Sequence, residues 1–220
     1  MPDAPRLPVP TLMLVTDRTL AGGEDALVDA VAAAVAGGVD AVQLREKDLS
    51  ADRLLPLARR LREVTAQTGA LLIVNGPLDV ALAAHADGVH LPEAVPTIER
   101  PARPFIVGRS VHSLEAARRA EAEGAGYLIA GPIYDTSSHP GRTPAGLRLI
   151  EDIAAAVGIP VLAIGGITAE RVAPVLRAGP DVIGVAVISA VLAAPSPSDA
   201  ARRLRAALDA AWAETRAVRP

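Results

Sequence analysis

Short apolar runs rich in β-branched residues alternate along the chain with longer stretches in which apolar residues recur at helical spacing. The runs predict strands at Leu12–Thr16, Ala41–Arg45, Leu71–Asn75, Gly88–Leu91, Phe105–Gly108, Tyr127–Ala130, Val161–Ile164 and Val182–Val187. The stretches between them predict helices, among them Glu24–Ala36, Ala51–Thr68, Leu114–Glu123, Leu147–Val157 and Ala169–Ala178. Glycines (Gly37, Gly69, Gly124, Gly158, Gly179) stand at the ends of these helices, where a C-cap needs them. Near-continuous apolar strands joined by helices make a parallel sheet covered on both faces. Eight such units in 220 residues predict an α/β fold, a single (β/α)₈ TIM barrel over residues 1–220. A doubly wound open sheet is the alternative, but Thr16-Asp17-Arg18 after the first strand lacks its glycine-rich turn. A last helix, Asp199 to Thr215, is expected to start at a Ser198 cap and to pack Leu204, Leu208 and Trp212 on the barrel wall. The long polar connection Tyr134–Ala145 falls where a mobile active-site loop belongs.

Composition narrows the function. Half of the residues are apolar and 22 basic residues nearly balance 25 acidic ones, for a net charge of −3. With no basic run, nucleic acid and anionic membranes are poor partners. The absence of cysteine removes disulfides, thiolate metal sites and cysteine nucleophiles. No leader pattern or membrane-length apolar run is present, which points to a cytoplasmic protein. All basic residues but Lys47 are arginine, and Asn75 is the sole asparagine. Chance survival is one explanation of these two residues; placement for a purpose is the other.

Their positions favour purpose. Barrel chemistry is built at the C-terminal ends of the strands, and the second and third strands end Gln43-Leu44-Arg45-Glu46-Lys47 and Asn75-Gly76. Alternation sends Gln43, Arg45 and Lys47 to one side, where amide, guanidinium and ammonium suit a carboxylate or phosphate. A strand-end salt bridge to Glu46 or Asp48 is the plainer alternative. The seventh strand runs into Gly165-Gly166-Ile167 and the eighth into Ile188-Ser189-Ala190, each before a helix. Loops at these two places often bind phosphate through backbone N–H groups, and the paired Gly165, Gly166, Ile188 and Ser189 point to such a cradle. Among the histidines, His85 reads as structural and His90 as a satisfied core residue. His139 lies in the long loop, and His112, after strand five, is the candidate acid or base, since imidazole exchanges protons near neutral pH. No zinc-type spacing occurs.

Several motifs resemble the superfamily of thiamine phosphate synthase and the TenI-type thiazole tautomerase, phosphate-binding (β/α)₈ barrels of thiamine biosynthesis. They are Leu14-Val15-Thr16-Asp17, Gln43-Leu44-Arg45-Glu46-Lys47, Gly88-Val89-His90-Leu91, Gly131-Pro132-Ile133-Tyr134 with Thr136, Ala163-Ile164-Gly165-Gly166-Ile167 and Val187-Ile188-Ser189-Ala190. The synthase joins a pyrimidine methyl pyrophosphate to a thiazole phosphate with Mg²⁺ held by two aspartates. Here Gly76 follows Asn75, no aspartate follows strand four in Leu91-Pro92-Glu93-Ala94-Val95-Pro96, and His139 stands at the place of a loop lysine. Glu93 is a partial substitute for the missing carboxylates. Asn75-Gly76, Leu91-Pro92 and Gly108-Arg109-Ser110-Val111-His112-Ser113-Leu114-Glu115 look like the tautomerase branch.

The resemblance therefore implies a cofactor-free isomerase that aromatises a carboxythiazole phosphate by a proton shift through His112. In that reading Arg45 and Lys47 hold the carboxylate and steady the developing charge. Gln43, Asn75, Ser110, Thr136, Ser138, Gly165, Gly166, Ile188 and Ser189 bind substrate, the phosphate falling to Gly166, Ile188 and Ser189. The synthase, with Mg²⁺, is the alternative, and a catalytically inert phosphate-binding barrel a second. The implied partners are a small-molecule thiazole phosphate and a second copy in a homodimer.

Overall fold

The computed structural model describes residues 6–99, 101, 104–136 and 143–217. Eight parallel strands close into a TIM barrel in sequence order: β1 Thr11–Val15, β2 Ala41–Leu44, β3 Leu71–Asn75, β4 Gly88–Leu91, β5 Ile106–Val111, β6 Tyr127–Ala130, β7 Val161–Ile164 and β8 Val182–Val187. Closure is made by β1 against β8, with Thr11 opposite Gly184 and Leu14 opposite Val187. The outer layer comprises α1 Arg18–Ala21, α2 Glu24–Ala36, α3 Ala51–Ala66, α4 Leu78–Ala83, α5 Leu114–Ala122, α6 Gly146–Ala154, α7 Ala169–Arg177, α8 Ser189–Leu192 and α9 Pro197–Ala217. The strands are buried along nearly their whole length, as a sheet enclosed by helices outside and by its own side chains inside requires. Among the described residues no helix is long and apolar enough to cross a membrane.

Beyond shifts of a few residues at element ends, three details differ from the sequence reading, each for a local reason. Strand β5 runs on from Gly108 to Val111 because Arg109 and Ser110, which look like the start of a loop, find partners inside the fold. Helix α9 begins at Pro197, and Ser196 rather than Ser198 accepts the early N–H of Asp199, at 3.3 Å. Proline at a first helical position has no N–H to lose, and Ser198 Oγ instead accepts from Arg202. The short α1 forms because Asp17 caps it, accepting from Thr19 N at 3.0 Å. Leu204 and Leu208 are buried and Trp212, half-buried, packs against the core as expected, with the Arg216 guanidinium 5.5 Å from its ring centre.

Candidate functional site

A cavity of about 400 Å³ opens at the C-terminal ends of the strands, within the range of roughly 300–1,000 Å³ for small-molecule sites. Gln43, Arg45, Lys47, Asn75, Ser110, His112, Thr136, Gly165, Gly166, Ile188 and Ser189 all line it. Ser138 and His139 lie outside the described residues, as does much of the Tyr134–Ala145 connection. Its far end is tied back by Ala145 N–H to Pro132 O at 2.9 Å.

The cationic side of the cavity is set by a network behind it. Buried Glu46 accepts from Thr16 Oγ1 at 2.7 Å and from the Arg18 backbone N–H at 3.1 Å, and Thr16 Oγ1 in turn accepts from Arg45 N–H at 2.9 Å. Arg18 also takes both oxygens of Asp48 at 2.6 Å, so Glu46 and Asp48 are turned to Arg18 rather than to Arg45 or Lys47. The strand-end salt bridge is thus present, with a different partner, and it braces the backbone that carries the two cations. Burial depresses the Arg45 guanidinium below its ordinary value, though Asp17 and Glu46 oppose this. Lys47 is depressed chiefly by the neighbouring positive charge of Arg45 and then by burial.

Across the cavity, Gly165 and Gly166 have φ of +101° and +62°, a left-handed run open to glycine at little cost. A Cβ on Gly165 would lie 2.7 Å from the Pro132 Cα. The loop after β7 is fastened to the loop after β6: Ile133 N–H reaches Ile164 O at 2.9 Å and Tyr134 N–H reaches Gly165 O at 3.1 Å. Arg171 completes the clamp, donating to Gly166 O at 2.6 Å while its guanidinium sits 4.5 Å from the Tyr134 ring centre. Sequence reasoning missed Arg171, whose place in a helical first turn resembles any surface arginine.

His112 and Glu93 form a pair at the mouth. Glu93 Oε2 accepts from the His112 backbone N–H at 2.9 Å and lies 2.7 Å from its Nδ1. A carboxylate on Nδ1 fixes the ring and leaves Nε2 as the nitrogen that meets a substrate. The loop carrying Glu93 is held by buried Arg109, which donates to the carbonyls of Pro92 and Val95 and to Glu123 at 2.6 Å.

Magnesium, which accompanies the synthase alternative, can be tested against this donor set. Among the described residues no three His, Cys, Asp or Glu side chains converge as a metal site. Glu93 spends an oxygen on two N–H groups of His112, and Gly76 follows Asn75. These residues do not fit a protein-held magnesium ion.

Residues 12–191 match the family model described as TMP-TENI, thiamine monophosphate synthase. The thiamine-phosphate synthase of Methanoculleus marisnigri is 48% identical over 93% of this chain and 98% of its own. That of Roseiflexus castenholzii is 46% identical over 87% and 85%. Among solved structures, thiamine phosphate pyrophosphorylase from Pyrococcus furiosus superimposes with a TM-score of 0.79 at 36% identity, over 92% of this chain and 96% of that one.

These relatives overturn the expectation of an isomerase of the tautomerase type. The residues that suggested it have work in the fold: a Cβ on Gly108 would collide with the Tyr127 ring, Arg109 latches the Glu93 loop, and Ser113 caps α5 by accepting from Ala116 N at 3.1 Å. A motif maintained by folding does not mark one reaction. From the family match and the likeness along nearly all its length, this chain belongs to the thiamine monophosphate synthase family.

Proposed function

We propose that the protein is a thiamine-phosphate synthase, a transferase that joins a pyrimidine methyl pyrophosphate to a thiazole phosphate and releases pyrophosphate. The identity to synthases supports this reading, and one structural observation carries it: a single cavity has two ends suited to anions. Arg45 and Lys47 face it from β2, and the backbone of Gly165, Gly166, Ile188 and Ser189 faces it from β7 and β8.

In the reaction the bond from the methylene carbon to the pyrophosphate oxygen breaks, and both electrons leave with the oxygen. The lone pair of the thiazole ring nitrogen forms the new carbon–nitrogen bond. Nothing is oxidised or reduced, and no proton need be transferred. Arg45 and Lys47 stabilise the charge that grows on the leaving group, from a backbone braced beforehand at Arg45 by the Thr16–Glu46–Arg18 network. Gly165, Gly166, Ile188 and Ser189 hold the thiazole phosphate and so place the ring nitrogen in line. Gln43, Asn75, Ser110, Thr136 and Ser138 position the two substrates, and His112 meets the leaving group through Nε2.

The test is incubation of purified protein with both substrates and Mg²⁺, following thiamine phosphate by mass spectrometry. Product at enzymatic turnover is expected. No product while thiazole phosphate still binds would overturn the assignment.

A further inference from the structure

Under the cavity, five polar side chains from five strands gather, Asn75 against Gln43 and Tyr127 against His90 and Ser110. Asn75 Nδ2 lies 3.2 Å from Gln43 Oε1. The Tyr127 hydroxyl is 3.1 Å from His90 Nδ1, and His90 Nε2 is 2.8 Å from Ser110 Oγ. Gln43, Tyr127 and His90 are all buried, and Ser110 reaches the cavity.

An inventory of donors and acceptors gives these contacts a direction. Gln43 Oε1 is occupied by Asn75, and its Nε2 lies 3.6 Å from the Met13 sulfur with a second N–H to place. The buried Tyr127 hydroxyl instead finds its partner in His90 Nδ1, at 3.1 Å. A buried hydroxyl hydrogen without an acceptor is costly, so Tyr127 donates it to His90 Nδ1. A neutral imidazole that accepts at Nδ1 carries its hydrogen on Nε2, which it donates to Ser110. The ring stays neutral because it is fully buried and because Arg45 and Arg109 repel a second proton. Gly108 leaves the space through which the Tyr127 ring reaches His90.

We infer that Tyr127, His90 and Ser110 form one file of hydrogen bonds running in a single direction, which holds Ser110 with its hydroxyl hydrogen turned to the cavity. His90 and Tyr127 are thereby positioning residues. They make Ser110 a donor to an acceptor oxygen of the substrate, pyrophosphate in the function proposed above, on which this inference rests for the ligand. Successive bonds of one sense also polarise one another, so Ser110 is a better donor than an isolated serine.

The experiment is nitrogen NMR of the intact protein labelled at histidine, combined with calorimetric titration of inorganic pyrophosphate. His90 should show a bare Nδ1 and a protonated Nε2. Tyr127→Phe should mix the two tautomers and weaken pyrophosphate binding about tenfold, on the scale of one charge-assisted hydrogen bond. Ser110→Ala should lose about as much, and the double variant no more than Ser110→Ala alone. A protonated Nδ1 in the wild type would overturn the inference, as would unchanged binding in Tyr127→Phe or additive losses in the double variant. If Tyr127→Phe does not fold, the wild-type spectrum decides by itself. If the wild type binds no pyrophosphate, the synthase reading fails, and the tautomer still judges the file.

Discussion

Lys47 is the sole lysine of the chain, and it stands beside Arg45 in a cavity where two like charges are otherwise costly. Such crowding is sustained when an anion spends part of the catalytic cycle between the cations. Lys47→Met should therefore lower kcat/KM about a hundredfold or more, with most of the loss in steps involving the pyrophosphate substrate. Steady-state kinetics with each substrate varied in turn would check this. His90 carries a different expectation. Burial first, then Arg45 and Arg109, push it down from 6.5 to about 3 in the folded protein. Below its unfolded value the unfolded chain takes up a proton that the native state refuses, so stability falls as pH drops through that window. The slope from this group is at most roughly 1.4 kcal/mol per pH unit. Denaturant unfolding between about pH 6 and pH 4 should show a smaller loss in His90→Gln than in the wild type. Rarity, together with their place at strand ends, singled out Lys47 and Asn75, and both line the cavity. It was silent on Glu93 as the partner of His112, because a carboxylate 19 residues away announces itself only when two loops meet.

Helix α5 shows how an element sets a residue. His112 is followed at once by Ser113, whose hydroxyl caps the helix, while Glu93 grips His112 from the other side. Ser113→Ala should cost about 1 kcal/mol in stability, as lost N-caps do. It should also lower turnover, because the imidazole loses one of its two fixed neighbours; thermal melts and kinetics measure the two effects separately. The periodic pattern exposed all eight strands, since each is a buried run bounded by turn residues. It placed β5 too short because Arg109 and Ser110 look like solvent-seeking residues. Only the tertiary partners, the Pro92 and Val95 carbonyls for one and His90 for the other, make them strand residues. The four-residue α1 is similarly hidden: a single Asp17 cap is too local a signal to stand out from a turn.

At the scale of the molecule, the final helix is bolted to the beginning of the barrel. Arg205 of α9 reaches Asp40 Oδ2 at 2.7 Å, and the same oxygen accepts the Leu12 N–H of β1 at 2.7 Å. Arg205→Ala leaves a half-buried carboxylate with one partner fewer, and should destabilise the fold by roughly 1–3 kcal/mol. Asp40→Asn in the same background should recover part of the loss in a double-mutant cycle of unfolding free energies. That eight strands close was legible from their number and spacing, whereas this long-range bolt was not, because nothing local pairs Asp40 with a residue 165 positions away.

The β1–β8 seam also sets a timetable for synthesis. A chain leaving the ribosome presents β1 first, and its partner on one side, Ala41–Leu44, follows soon after. Its partner on the other side, Val182–Val187, arrives only when more than four-fifths of the 220 residues have been made. Until then the growing sheet has an uncovered edge of apolar strand, the form most prone to pair with a neighbouring nascent chain. The cell's folding helpers would be needed most in that interval, before β1 and β8 meet.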